Sequence, residues 1–110
     1  MKDIIIAPSM LASDFSQVRE SLDFVKKNGA QWVHLDVMDG HFVPNMTFGT
    51  KFVQDMRPHS DLVFDVHLMV QEPIRYIDEF KRVGADLITI HAEACENIEA
   101  TIKKNQGKRM

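Results

Sequence analysis

The chain has 110 residues, 45% of them hydrophobic and 26% charged, which suits one small globular domain and is too short for two. A net charge of -3 without a basic stripe argues against a nucleic-acid partner, and no apolar run approaches the ~18 residues a membrane helix needs. Cys95 is the single cysteine, which rules out an intrachain disulfide; with no long apolar core of a secretory signal, the expected setting is the reducing cytoplasm.

In chain order, Ile4-Ile5-Ile6-Ala7 is a β-branched run closed by Pro8 and Ser9, which predicts a buried strand ending in a turn. Ser13 or Asp14 can cap a helix that places Phe15, Val18, Leu22 and Val25 on one face. Lys26 and Lys27 suit the C-terminal end of its dipole, and Gly29 suits the position just past it. Trp32–Met38 is the second predicted strand, followed by a turn-rich loop with Gly40, Pro44, Asn45 and Gly49. A short helix with Phe52, Val53 and Met56 stops at Pro58.

Leu62–Met69 is the third predicted strand. Pro73 fits the first turn of a helix that carries Ile74, Ile77 and Phe80 and ends at Gly84. Leu87–His91 is the fourth, and a last helix from about Asn97 to Asn105 is closed by Gly107. Gly29-Ala30 and Gly84-Ala85 each close a helix and open a strand, which suggests a repeated β/α unit.

Strands alternating with helices imply a parallel sheet with crossover connections. That fits an open doubly wound sheet or part of a barrel. Successive side chains on a strand point to opposite faces. The second strand sends Val33, Leu35 and Val37 one way and His34, Asp36 and Met38 the other. The third repeats this with Val66 and Leu68 against Asp65, His67 and Met69, and the fourth sets Thr89, His91 and Glu93 on its polar face. An open sheet covered on both sides would carry apolar residues there, so the polar faces favour a barrel. A complete eight-unit barrel needs ~200 residues or more. The expectation is therefore a (β/α)8 TIM-barrel sequence of which residues 1–110 supply about the first four β/α units, a half-barrel.

The chemistry gathers at the strand ends. His34 and Asp36, two apart on one strand, can reach a common point, and His67 on the neighbouring strand can reach the same one. Two imidazoles and a carboxylate suit Zn²⁺, Fe²⁺ or Mn²⁺ with positions left open for a substrate. Hydrogen-bonded core histidines partnered by Asp36 are the alternative. Met38 and Met69, one step beyond, either fill irregular core space or form an apolar lining that keeps water from a reacting centre. His91, Glu93 and Asp65 are candidates for orienting the ligands. Asp39, His41 and His59 carry no assignment and read as loop or surface groups.

At these residues the sequence resembles the ribulose-phosphate 3-epimerase family. The matching segments are Ala7-Pro8-Ser9-Met10-Leu11, the run from His34 to Asn45, Asp65-Val66-His67-Leu68-Met69-Val70 and His91-Ala92-Glu93-Ala94. The Asp-x-Lys-x-x-Asp pattern of related decarboxylases and synthases is absent, since the corresponding run reads His-Leu-Asp-Val-Met-Asp.

The resemblance implies a divalent metal held by His34, Asp36 and His67, substrate contacts from Ser9, His67, Met38 and Met69, and Asp36 as one of two acid/base carboxylates. The implied reaction removes the C3 proton of D-ribulose 5-phosphate and returns it on the opposite face, giving D-xylulose 5-phosphate. The family's second carboxylate lies on the seventh strand and its phosphate loops follow the later ones, so the 110 residues alone are expected to be impaired. A hexulose 6-phosphate epimerase, and a non-catalytic metal-binding or self-associating half-barrel, are the alternatives. The expected partners are a small sugar phosphate and further copies of the chain in a homo-oligomer, with no nucleic acid and no membrane.

Overall fold

The computed structural model describes residues 6–10 and 15–107. Three parallel strands form one sheet: β1 (Trp32–Met38), β2 (Val63–Met69) and β3 (Leu87–Thr89), in the order β1-β2-β3. The segment before β1 contributes an isolated parallel bridge between Ser9 and His34, reinforced by His34 N–H donating to the Pro8 carbonyl at 2.8 Å. The strand expected at Ile4–Ala7 lies in part outside the described residues; its described portion, Ile6 and Ala7, carries no strand. The fourth predicted strand is cut to Leu87–Thr89, because Ala92–Ala94 turns into a 3₁₀ helix soon after His91.

Four α-helices complete the described fold: α1 (Val18–Lys27), α2 (Thr50–Met56), α3 (Ile77–Val83) and α4 (Ile98–Gly107). The predicted stripe on α1 holds: Val18 and Leu22 are buried, Val25 packs against the core, and Phe24, off the stripe, is 67% exposed. The proposed caps Ser13 and Asp14 lie outside the described residues, as does the side chain of Phe15. Pro73 opens a separate 3₁₀ turn, Pro73–Arg75, before α3, and Gly107 belongs to the last helix instead of ending it.

The repeated Gly-Ala pairs have one structural cause. Past α1, Gly29 (φ +97°) donates to the Lys26 carbonyl and Ala30 to that of Val25, both at 3.0 Å. Past α3, Gly84 (φ +124°) donates to Lys81 at 3.3 Å and Ala85 to Phe80 at 3.0 Å. These paired bonds satisfy the last helical carbonyls and turn the chain toward the next strand, with glycine in the left-handed region. Gly84 is needed twice over, since a Cβ there would stand 2.3 Å from Arg57 Cδ.

Arg57 explains that close approach. Its guanidinium donates to the carbonyls of Ser60, Leu62 and Gly84 and to Asp86, and lies 3.7 Å over the Phe64 ring. Asp86 Oδ2 also accepts from Phe64 N–H at 2.8 Å, so the starts of β2 and β3 are clamped together.

Both long strands alternate strictly in burial. Val33, Leu35, Val37, Phe64, Val66 and Leu68 form one core with Leu22 of α1, Val53 of α2 and Ile77, Phe80 and Val83 of α3. Helices thus cover one sheet face. Burying side chains of this size is worth about 1.5–3 kcal/mol each, which fixes the register, because a one-residue slip would turn the whole apolar set outward. The other face is only half-buried and carries the polar row.

Candidate metal and proton-transfer centre

Strand register brings the polar row together. His34 pairs with Asp65, Asp36 with His67 and Met38 with Met69. Side chains directly opposite across neighbouring strands lie within hydrogen-bonding reach, and residues two apart on a strand share a face.

Asp36 is the hub. Its Oδ1 faces His34 Nε2 at 2.9 Å and His67 Nδ1 at 3.1 Å, while its Oδ2 accepts from the Ser9 hydroxyl at 3.1 Å. The far nitrogens of both rings are also occupied. His34 Nδ1 meets Asp65 Oδ2 at 3.0 Å, and His67 Nε2 meets His91 Nε2 at 2.7 Å. The side chains of Asp36 and Asp65 are 13% and 17% exposed, so the cluster is sheltered yet reachable.

With carboxylates on both sides, both nitrogens of His34 act as donors. Burial works against a charge on this ring, but the hydrogen bond to Asp65 and the charges of Asp36 and Asp65 outweigh it. Its pKa therefore stands above the ordinary imidazole value.

Among the described residues, His34, Asp36 and His67 are the group whose donor atoms lie close enough to hold an ion, all within 4.8 Å of one another. Neighbouring ligands of one first-row divalent ion, each at ~2.0–2.2 Å from it, stand about 3 Å apart. The spacings of 2.9 and 3.1 Å around Asp36 Oδ1 fit that, and the donor set suits such an ion. Asp65 and His91 occupy the outer nitrogens, where ligating histidines ordinarily find a partner.

Of the other residues singled out from sequence, Ser9 joins the cluster through Asp36. Met38 and Met69 lie side by side on the same face at the strand ends, half-buried. Asp65 and His91 touch the histidines, whereas Glu93 is exposed in the 3₁₀ turn. A neighbouring hollow of about 270 Å³, lined by Met38, Asp39, Phe48, Val70, Tyr76 and Phe80 among others, is largely apolar and includes none of His34, Asp36 and His67.

Two residues with no assigned role prove central to the loops. Asp39 accepts from the backbone N–H groups of His41, Phe42 and Gln71, tying the loop after β1 to the segment after β2. Asp-x-His-Phe at the start of a turn-rich loop is a local signal for the first two bonds. The bond to Gln71 is long-range and has no sequence signature. Phe42 packs its ring 5.3 Å from that of His91.

Fold and cluster define a class: a parallel β/α protein with a candidate centre along the middle and C-terminal half of its two long strands, on the face its described helices leave open. The ribulose-phosphate 3 epimerase family profile matches residues 5–110, and the chain belongs to that family. It is 50% identical over 106 residues to the ribulose-phosphate 3-epimerase of Bacillus subtilis (strain 168), an alignment covering 94% of this chain and 49% of that protein. The chloroplastic ribulose-5-phosphate-3-epimerase of Arabidopsis thaliana is 42% identical over 108 residues, 98% of this chain and 38% of the relative. The cytoplasmic isoform of Oryza sativa subsp. japonica is 42% identical over 106 residues, 96% and 46% respectively. The chain spans about half the length of the Bacillus relative. Relatives in two compartments leave the cellular location open, and among the described residues no helix is long and apolar enough to cross a membrane.

Proposed function

We propose that this chain supplies the first four β/α units of a TIM barrel that epimerises D-ribulose 5-phosphate at C3, with His34, Asp36 and His67 holding a divalent ion. The observation that carries the reading is Asp36. It sits on the open face of the sheet, with one oxygen shared by two imidazoles and the other held by Ser9, in a chain of this family.

When bound, the ion supplies Lewis-acid stabilisation of the negative charge that builds on the substrate as its C3 proton leaves. Asp36 divides its two oxygens between roles. Oδ1 faces the histidines, and Oδ2 takes the proton from one face of C3. Ser9, donating to Oδ2 from the neighbouring segment, orients that oxygen and lies where the substrate would reach it. Met38 and Met69 lie beside each other one step further along β1 and β2 and shield the reacting carbon from water. Inversion requires a second proton donor across the substrate; exchange of the C3 hydrogen with solvent reports the Asp36 step by itself.

The test incubates the chain with Mn²⁺ and D-ribulose 5-phosphate in D₂O and follows the C3 hydrogen by proton NMR. Exchange above the buffer rate is expected, and Asp36→Asn should reduce it by about 10²–10⁴-fold, the usual weight of a positioned acid/base group. Undiminished exchange in the variant would sink the reading. A parallel run with a hexulose 6-phosphate decides which sugar phosphate is preferred.

A further inference from the structure

We infer that His91 is a positioning residue for His67, fixing which nitrogen of that ring carries the proton and which is presented to Asp36 and the ion. The inference rests on the metal reading only for its consequence in metal affinity; the hydrogen-bond argument stands on the two rings alone.

The Nε2 atoms of His67 and His91 are 2.7 Å apart. At that distance two N–H groups would repel, and so would two bare lone pairs. One nitrogen must donate and the other accept, so the tautomers of the two rings are locked together. His67 Nδ1 points at Asp36 Oδ1, 3.1 Å away. Asp36 Oδ1 can only accept, so without an ion His67 Nδ1 donates to it and Nε2 accepts from His91 Nε2–H; for Nδ1 to offer a lone pair to an ion, His67 must carry its proton on Nε2, and His91 Nε2 must then accept it. His34 has the equivalent arrangement in more ordinary form, with the Asp65 carboxylate at its far nitrogen.

His91 is itself held from several directions. Its ring meets that of His67 edge to edge, with centroids 4.9 Å apart, and Phe42 packs against it at 5.3 Å. Its carbonyl accepts from Ala94 N–H at 3.1 Å and from Cys95 Sγ at 3.3 Å. That turn is anchored by Glu72 N–H donating to the Ala94 carbonyl at 2.9 Å, which ties it to the segment after β2.

The experiment compares the parent chain with His91→Phe, which keeps an aromatic ring against Phe42 but has neither donor nor acceptor, and His91→Gln, whose amide can donate or accept. Two readouts are taken: the imidazole ¹⁵N shifts of His67 in metal-free protein, and Co²⁺ affinity by chelator competition. The parent and His91→Gln should show well-separated Nδ1 and Nε2 shifts, a single tautomer, and His91→Phe should show shifts drawn toward their average. Co²⁺ binding should weaken by about 10–100-fold in His91→Phe and largely recover in His91→Gln. Should His91→Phe lose the parent's circular dichroism, His91→Leu replaces it in both readouts.

Unchanged His67 shifts in the variant without an acceptor overturn the inference, whatever the Co²⁺ titration gives. Equal Co²⁺ affinity in all three chains overturns it as well. A parent that binds no Co²⁺, but whose His67 tautomer is scrambled by His91→Phe, refutes the metal site and upholds the positioning role.

Discussion

Replacing Asp39 by Asn separates two loops with minimal change of shape. The Asp39 carboxylate accepts from His41 N–H at 2.8 Å and Phe42 N–H at 2.9 Å through Oδ1, and from Gln71 N–H at 2.8 Å through Oδ2. Asn keeps an oxygen for the two local bonds and sets an NH₂ against the Gln71 N–H. A hydrogen bond to a charged acceptor is worth about 1.5–3 kcal/mol net, and at this partly exposed position the lower end applies. The expected loss is about 1–2 kcal/mol, or roughly 4–16 °C in the thermal midpoint of a domain this size.

Burial alone would raise the Asp39 pKa, but the N–H groups of Gln71, His41 and Phe42 pull it below the ordinary value. A depressed folded pKa gives stability that is present above the unfolded value of about 3.9 and is lost as pH falls through the folded one. The amide signals of His41, Phe42 and Gln71 should therefore titrate together, with one midpoint below about 3.9. In Asp39→Asn this shared titration should vanish, and the Gln71 amide should exchange faster with D₂O. Separate midpoints, a midpoint at or above the ordinary value, or unaltered Gln71 exchange would refute the argument.

Two further predictions concern residues that hold other groups in place. Arg57→Ala removes a guanidinium that serves three carbonyls and Asp86, and should cost about 2–4 kcal/mol in denaturant unfolding. Arg57→Lys should recover less than half, since one ammonium cannot span four acceptors; full recovery would mean that charge alone matters. Asp65→Ala should weaken Co²⁺ binding by about tenfold or more, and Asp65→Asn by less, because an amide oxygen still accepts from His34 Nδ1. Equal affinity in Asp65→Ala would remove Asp65 from the centre.

Period-two alternation made much of this legible from sequence. Val33, Leu35 and Val37 against His34, Asp36 and Met38 gave the two faces of β1, and Val66 and Leu68 against Asp65, His67 and Met69 did the same for β2; the pairing of Asp36 with His67 came from the strand register. Glycine followed by alanine marked both helix ends, because the left-handed turn admits few other residues. Other features depended on contacts between segments far apart in sequence. Arg57 reads as an ordinary basic residue before a proline, and only folding brings Gly84 and Asp86 to its guanidinium. Asp39 reads as a loop residue because its bond to Gln71 spans 32 positions. His91 lay two residues past the last ladder pair of its strand, so alternation could set it on the polar face but could not choose His67 as its partner.

The hydrogen-bond pattern of the cluster also says how an ion would be accommodated. Three contacts use atoms that an ion at Asp36 Oδ1 leaves alone: Ser9 to Asp36 Oδ2, Asp65 to His34 Nδ1, and His91 to His67 Nε2. Two contacts point at Oδ1 itself, from His34 Nε2 and His67 Nδ1. An ion held by His34 Nε2, Asp36 and His67 Nδ1 would take the place of the two protons those nitrogens donate to Asp36, and the outer contacts would keep both rings and the carboxylate aimed inward. Hydrogen-bonded core histidines would satisfy the inner pair of contacts equally well, and they too would need a partner on each outer nitrogen. Metal affinity separates the two arrangements: Asp65 and His91 touch only the outer nitrogens, so a change in Co²⁺ binding on replacing either reports a ligand held in place, and polar packing alone gives none.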